Sequence, residues 1–275
     1  MAVVRDWRGR SDLPAMQSLA VAQRRLAPQR TNWHSGDLAW QIGREADWDI
    51  RLWEDGGEVV AYTWVKGDEI EFEVREDHRE LLDEILSDPS LKTVRIFESE
   101  ADVVARYGFT ERGEWRMHVN HQAFAGPPQV PDVPDGFTLR SIEPSDLAER
   151  VAIHRDVWEP SQLTEEKFAN VIATPPYRMS LDCVAVAPTE EFAAYVLLWP
   201  EDATGVGEME PVGTREQYRR LGLGAAVCTF ALRRWYEQGG REAIVYCVTE
   251  PACALYESIG FGRYATLGTF TRPDA

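Results

Sequence analysis

Between residues 208 and 227 the chain reads Glu-Met-Glu-Pro-Val-Gly-Thr-Arg-Glu-Gln-Tyr-Arg-Arg-Leu-Gly-Leu-Gly-Ala-Ala-Val. A β-rich run ends, a turn follows, and a helix begins at Gly222-x-Gly224. Glycines there let the backbone approach a ligand closely. The first turn of a helix leaves N–H groups unpaired at the positive end of its dipole. That combination is a cradle for an anion, phosphate above all. Residues 215–241 hold six arginines and two acids, a net of +4 in a chain whose formal charge is −17. The same two glycines would also serve close helix–strand packing. Upstream, Glu208 and Glu210 stand two apart on a strand, so both face one side while Met209 faces the other. They read either as a pair of bases or as solvated strand carboxylates.

The elements that must position this segment follow from the pattern around it. A strand at 137–141 leads to a helix from 145 and a second helix at 164–173. Strands are expected at 182–187, 192–199 and 206–214. A helix from about 222 to 237 stops at Gly239-Gly240, a C-cap signal. Strand 243–248, helix 251–258 and strand 261–270 complete a mixed sheet flanked by helices.

The first half repeats these signals in order. Val4-Arg5 and Ser11-Asp12-Leu13 match Leu139-Arg140 and Ser145-Asp146-Leu147. Ala61-Tyr62 matches Ala194-Tyr195, Arg79-x-Leu81 matches Arg219-x-Leu221, and Gly108-Phe109 matches Gly260-Phe261. Residues 123–136 carry four prolines, which resist helix and central strand alike. The expected organisation is therefore a domain at 1–122, a proline-rich linker at 123–136 and a domain at 137–275.

Composition narrows the function. Of 275 residues, 44% are apolar and 27% charged, as in an ordinary globular protein. A charge of −17 disfavours nucleic acid and anionic lipid, and no apolar run approaches the ~18 residues of a membrane span. Four cysteines in apolar strings, Cys183, Cys228, Cys247 and Cys253, read as reduced buried thiols of a cytoplasmic protein. His118 and His121, three apart on an expected strand, point to opposite faces and offer no metal site.

Arg219-x-x-Gly222-x-Gly224 resembles the pyrophosphate-binding motif of the GCN5-related N-acetyltransferase (GNAT) superfamily. Ala252-Cys-Ala-Leu255-Tyr256-Glu-Ser-Ile-Gly260-Phe261 resembles its second signature, Ala-x-x-Leu-Tyr-x-x-x-Gly-Phe, with Thr249 where the family often has Asn. The resemblance covers 137–275 and implies an α/β fold of two tandem GNAT-like domains, each a mixed twisted sheet. It implies acetyl-CoA as co-substrate, with no metal. The pantetheine arm would run along Val212, Gly213 and Thr214. The pyrophosphate would sit on the amides of Arg219, Arg220, Leu221, Gly222, Leu223, Gly224 and Ala225. Tyr256 matches the tyrosine that protonates the departing thiolate. Glu208 falls where the family's histone-acetylating members keep their catalytic glutamate, with Glu210 as competitor.

The activity so implied is acetyl transfer to a small amine by direct attack in a ternary complex. An amine with a pKa near ~10.4 must first lose a proton. Asp156, Glu159, Glu165 and Glu166, in the region that shapes the acceptor side in the family, point to a cationic acceptor or to a solvated helix face. A non-catalytic acyl-CoA-binding protein and a mycothiol-synthase-like acetyltransferase are the alternatives. Two copies in one chain favour a monomer.

The first copy lacks the machinery. Leu82 and Glu84 stand in place of Gly222 and Gly224, Val104 in place of Tyr256, and residues 75–101 carry a net charge of −4. An acid at the first turn of the helix would repel phosphate. Trp33, Trp40, Trp48, Trp53 and Trp64, with His34, read as core or interface rather than a ligand cage.

Overall fold

A computed structural model describes residues 2–45 and 48–273. The chain forms two compact units. One takes the described residues of 1–38, 46–119 and 264–275, the other residues 39–45 and 120–263. Two stretches thus leave the half of the sequence that encodes them. Residues 39–45 join the second unit, and the C-terminal strand joins the first.

The first unit contains β1 (Val3–Asp6), α1 (Leu13–Leu26) and the start of α2 (Ser35–Gly43). It continues with β2 (Asp49–Asp55), β3 (Glu58–Lys66), β4 (Glu69–Val74), α3 (Leu81–Leu86), β5 (Thr93–Phe97), α4 (Ala101–Ala105) and most of β6 (Thr110–Ala123). Strands run in the order β1-β2-β3-β4-β5, antiparallel except for the parallel β4–β5 pair. Gly56 and Gly57, at φ +60° and +87°, form the tight turn joining β2 to β3, a conformation glycine adopts freely. α1 begins on Pro14 and buries Leu13, Met16, Leu19, Ala20 and Gln23, one helical face. Trp33 stacks on Trp64 at 4.9 Å, Trp48 meets Trp64 edge-on, and Trp53 is buried, so these indoles are core.

The second unit follows with β7 (Thr138–Ser141), α5 (Leu147–Val157), α6 (Glu165–Ile172), β8 (Asp182–Val186), β9 (Phe192–Glu201) and β10 (Val206–Thr214). After these come α7 (Leu223–Glu237), β11 (Glu242–Cys247), α8 (Glu250–Ser258) and β12 (Gly262–Thr271), of which residues from Tyr264 belong to the first unit beside β5. The second sheet runs β7-β8-β9-β10-β11. Its helices and strands lie close to where the sequence pattern puts them. Alternation sorts the core: Cys183, Ala185, Val196 and Leu198 pack toward α7, while Val184, Val186, Tyr195, Leu197 and Trp199 pack toward α5 and α6. β9 is buried along its whole length, as a central strand covered on both faces must be. Residues 124–137 are irregular, and Phe124, Val133 and Phe137 anchor them on the α7 side of this core. No described helix is long and apolar enough to cross a membrane.

Candidate active site

β10 and β11 run parallel only through Val206↔Glu242, Gly207↔Ala243 and Glu208↔Ile244. β10 continues to Thr214 with β9 still paired on its other edge. Beyond Glu208 the two parallel strands separate, and the edge of β10 carrying Val212, Gly213 and Thr214 opens toward the gap. A bulge marks the separation: Met209 pairs with Leu198 and Val212 with Val196, so Glu210 and Pro211 together face Leu197. Pro211 has no N–H to offer a neighbouring strand. The Glu210 carbonyl accepts from Trp199 Nε1 at 2.7 Å, which fixes the bulge from the core side. Gly213 fits because a Cβ there would come within 2.7 Å of both Tyr195 and Val157.

The turn after β10 leads to α7. Arg220 takes φ +64° and Gly222 φ +80°, so the chain reaches the helix through two left-handed residues. Around the Cβ position of Gly222 there is open space, whereas a Cβ on Gly224 would lie 3.2 Å from Thr214 Oγ1 and 3.5 Å from Leu255. The two glycines thus divide the roles foreseen for them. Gly222 shapes the turn, and Gly224 lets α7 approach β10 and α8. The first α7 amide to bond back to the turn is Ala226, which donates to Gly222. Helix geometry leaves the preceding amides of Leu223, Gly224 and Ala225 without an intrahelical acceptor.

Two expectations about this turn need correction. The Arg219 amide donates to Glu216 O at 3.2 Å and is not free for a ligand. Most of the arginine excess is committed to structure. Arg215 is buried against Glu149, Asp156 and Glu191; Arg233 pairs with Glu237; Arg234 and Arg241 donate to backbone carbonyls. Arg219 and Arg220 remain at the exposed turn. The side chain of Leu223 is buried in the core, so only its backbone faces outward.

Glu208 is fully buried and Glu210 half-buried, and one carboxylate oxygen of each lies within 4.8 Å of the other. Tyr256, on α8, is 6% exposed and meets Phe261 edge-on at 6.2 Å. Burial, reinforced by Cys228, Glu210 and Tyr195, pushes its phenol well above the usual tyrosine range, so it holds its proton at neutral pH. The structure overturns the reading of four reduced thiols. Cys247, at the end of β11, is disulfide-bonded to Cys253 on α8, while Cys183 and Cys228 are free and buried. Their separation by six residues had hidden the pair; the turn from β11 into α8 brings them together.

A second group of residues has no signal in the sequence. His154, on α5, is buried with Trp40 edge-on at 5.4 Å. Its Nδ1 lies 2.9 Å from the Tyr195 hydroxyl, which also accepts from Trp158 Nε1 at 2.8 Å. Burial first, then the charges of Arg150 and Arg44, lower its pKa to about 3, so it is neutral. Trp158 can only donate, so the Tyr195 hydrogen is free to point at Nδ1. In that arrangement the histidine proton sits on Nε2. Only the fold places α5, β9 and residues 39–45 side by side, and no local motif announces it.

Residues 148–261 match the Acetyltransferase (GNAT) family. The chain is 25% identical over 183 residues to a mycothiol acetyltransferase of Arthrobacter sp. (strain FB24), an alignment covering 61% of this chain and 55% of that protein. The chain thus spans about half the length of the curated relative it matches. Among solved structures, a GCN5-related N-acetyltransferase from Sphaerobacter thermophilus superposes with TM-score 0.63 at 18% identity, covering 100% of this chain and 97% of that one. A tandem GNAT protein from the clavulanic acid biosynthesis pathway gives TM-score 0.66 at 14% identity, over 100% and 99%. The fold is that of tandem GNAT proteins, and the match to the Acetyltransferase (GNAT) family lies within the second unit.

Proposed function

We propose that the second unit transfers an acetyl group from acetyl-CoA to a small primary amine by direct attack within a ternary complex. The observation that carries this reading is the parting of β10 from β11 immediately ahead of an open helix N-terminus. A gap with a free strand edge at Val212, Gly213 and Thr214 suits an extended amide-bearing arm. The amides around Gly222–Ala225, with Arg220 and Leu221 in the turn, suit a pyrophosphate. Glu210 adds to the burial that holds the proton on Tyr256.

Acetyl-CoA, when bound, supplies an activated thioester. The residues of this chain supply proton management. Glu210, half-buried on its bulge, takes the proton from the incoming ammonium, directly or through a water. Glu208, fully buried beside it, is the second candidate base. Tyr256 keeps its proton because it is buried, and donates it to the departing thiolate, whose conjugate thiol has a pKa near ~8.5. Closing the site between β10, β11 and α8 excludes competing water.

The test is release of CoA thiol from acetyl-CoA across an amine panel at pH 7–9. The wild type is expected to show amine-dependent release. Tyr256→Phe is expected to lower kcat by about 100-fold, the scale of general-acid catalysis, with acetyl-CoA affinity retained. Tight acetyl-CoA binding without release by any amine would instead favour a binding protein that has lost turnover.

A further inference from the structure

The second unit contains a small pocket lined by Arg44, Lys167, His154, Ser161, Gln162 and Trp40, together with Leu163. Its chemistry is one-sided. Arg44 and Lys167 are cations, and neutral His154 in the tautomer argued above presents Nε2–H. Ser161 and Gln162 add a hydroxyl and an amide, and no carboxylate is among the described lining residues. The pocket is also built. A Cβ on Gly43 would come within 2.9 Å of the Val171 backbone, so the end of α2 sits directly on α6. Gln41 Oε1 accepts from Arg44 Nε at 3.1 Å and Nη2 at 2.7 Å, which fixes the guanidinium. Trp40 lies under the same guanidinium at 5.9 Å.

This pocket borders the proposed chemistry. His154, in the pocket wall, lies 2.9 Å from the Tyr195 hydroxyl, and the Tyr195 ring packs against Gly213 on β10, 2.7 Å from where a Cβ there would stand. The acids that pointed to a cationic acceptor are not among the described lining residues: Asp156 is bound to Arg215 at 2.8 Å, Glu159 is exposed, and Glu165 and Glu166 are exposed in the first turn of α6, where the helix dipole favours them.

We infer that the pocket receives a compact oxyanion, a carboxylate or phosphate, carried by the same small molecule whose amine is acetylated. The inference rests on the acetyl-transfer reading and gives its acceptor a class: a short zwitterion, ammonium toward Glu210 and anion toward Arg44 and Lys167. Charge alternation along the site (Glu210, then Arg44) selects against diamines, whose second ammonium would meet two cations in a partly desolvated pocket.

The experiment compares β-alanine, O-phosphoethanolamine, ethanolamine and putrescine as acceptors for the wild type, Arg44→Gln, Lys167→Gln and Lys167→Glu. Binding of the same four compounds is measured in parallel by NMR titration without acetyl-CoA. The expected result is a wild-type preference in kcat/KM for one of the anionic amines over ethanolamine. That ratio should fall about 10- to 100-fold in each neutralising variant, the scale of losing a charge-assisted contact, and further in Lys167→Glu. Which of β-alanine and O-phosphoethanolamine is preferred identifies the anion. Acetylation of ethanolamine or putrescine with a ratio indifferent to Arg44 and Lys167 overturns the pocket assignment and leaves acetyl transfer standing. Binding of anionic amines that the variants lose, without turnover, keeps the anion site and removes the acetyl-transfer reading. Neither binding nor turnover overturns both.

Discussion

In each unit a pair of parallel strands stays bonded briefly and then separates. In the first unit the pairs are Glu69↔Thr93 and Ile70↔Val94; in the second they run from Val206↔Glu242 to Glu208↔Ile244. What stands at the two partings differs in every respect that matters to a ligand. The first is filled by the protein's own charges. Glu73 is buried and accepts the amides of Asn32 and Trp33, and Arg79 pairs with the buried Glu100 at 2.5 Å. β3 and β4 pair without interruption from Lys66↔Glu69 to Ala61↔Val74, so β4 has no bulge like that of β10. α3 starts from right-handed Arg79 and Glu80, with Asp83 and Glu84 in its first turn and Leu82 buried. The second copy keeps a bulge, a left-handed turn and a helix start free of acids. One fold supports both arrangements because the sheet and helices are specified by burial, while the parting is specified by a handful of residues at its rim.

The most severe break of this comparison is to give the second copy the residues of the first. Gly222→Leu with Gly224→Glu forces an L-residue into φ +80° and places a carboxylate in the anion cradle. Acetyl-CoA affinity is expected to fall about 100-fold or more, measured by calorimetry, while circular dichroism confirms that the fold persists. Affinity within threefold of wild type would refute the cradle.

The bulge is tested next. Glu210→Gln is expected to lower kcat/KM by about 100-fold with little effect on acetyl-CoA affinity. An equal or larger loss in Glu208→Gln, at unchanged stability, would transfer the base to the buried partner.

The filled parting should reveal itself in pH dependence. Burial, only partly offset by the amides of Trp33 and Asn32, raises the Glu73 pKa to about 8 from an ordinary 4.5. Between those values the folded protein holds a proton that the unfolded chain releases. Stability contributed by this site therefore decreases as pH rises, by about 1.4 kcal/mol per unit at most. Glu73→Gln should flatten the fall in urea midpoint between pH 5.5 and 8, and an unchanged slope would show that Glu73 does not titrate in that window.

The smallest expected effect concerns the disulfide, which has no counterpart in the first copy, where no cysteine occurs. Closing so short a loop stabilises by about 2 kcal/mol in the chain-entropy view. Replacing Cys247 and Cys253 together by Ala should lower the stability of the second unit by that amount in denaturant melts. A loss of acetyl-CoA affinity beyond threefold would give the bond a role in holding α8 over the site.

Much of this molecule was legible as sequence. The helices and strands of the second half follow from period, caps and glycine stops, and the glycine turn into α7 from its spacing, because those signals act within one turn or one strand. The loss of the site in the first half is equally local: Leu82, Glu84 and Val104 are single replacements at positions whose chemistry is known once the repeat is seen. Other features depend on residues far apart. Glu208 and Glu210 look equivalent by alternation, and only the bulge against Leu197 makes one buried and the other accessible. Arg215, Arg233 and Arg234 count as phosphate-seeking charge in a sequence window, yet their partners come from α5, the β9 region, α7 itself and the turn before β8. The neutral state of His154 and the cationic pocket around Arg44 exist only where distant segments meet. Sequence alone determined which elements form and which copy keeps a helix start free of acids, since both depend on neighbouring residues. Tertiary structure decided which charges remain available to a ligand, because ionic partners and burial are set by packing between segments that the chain order separates.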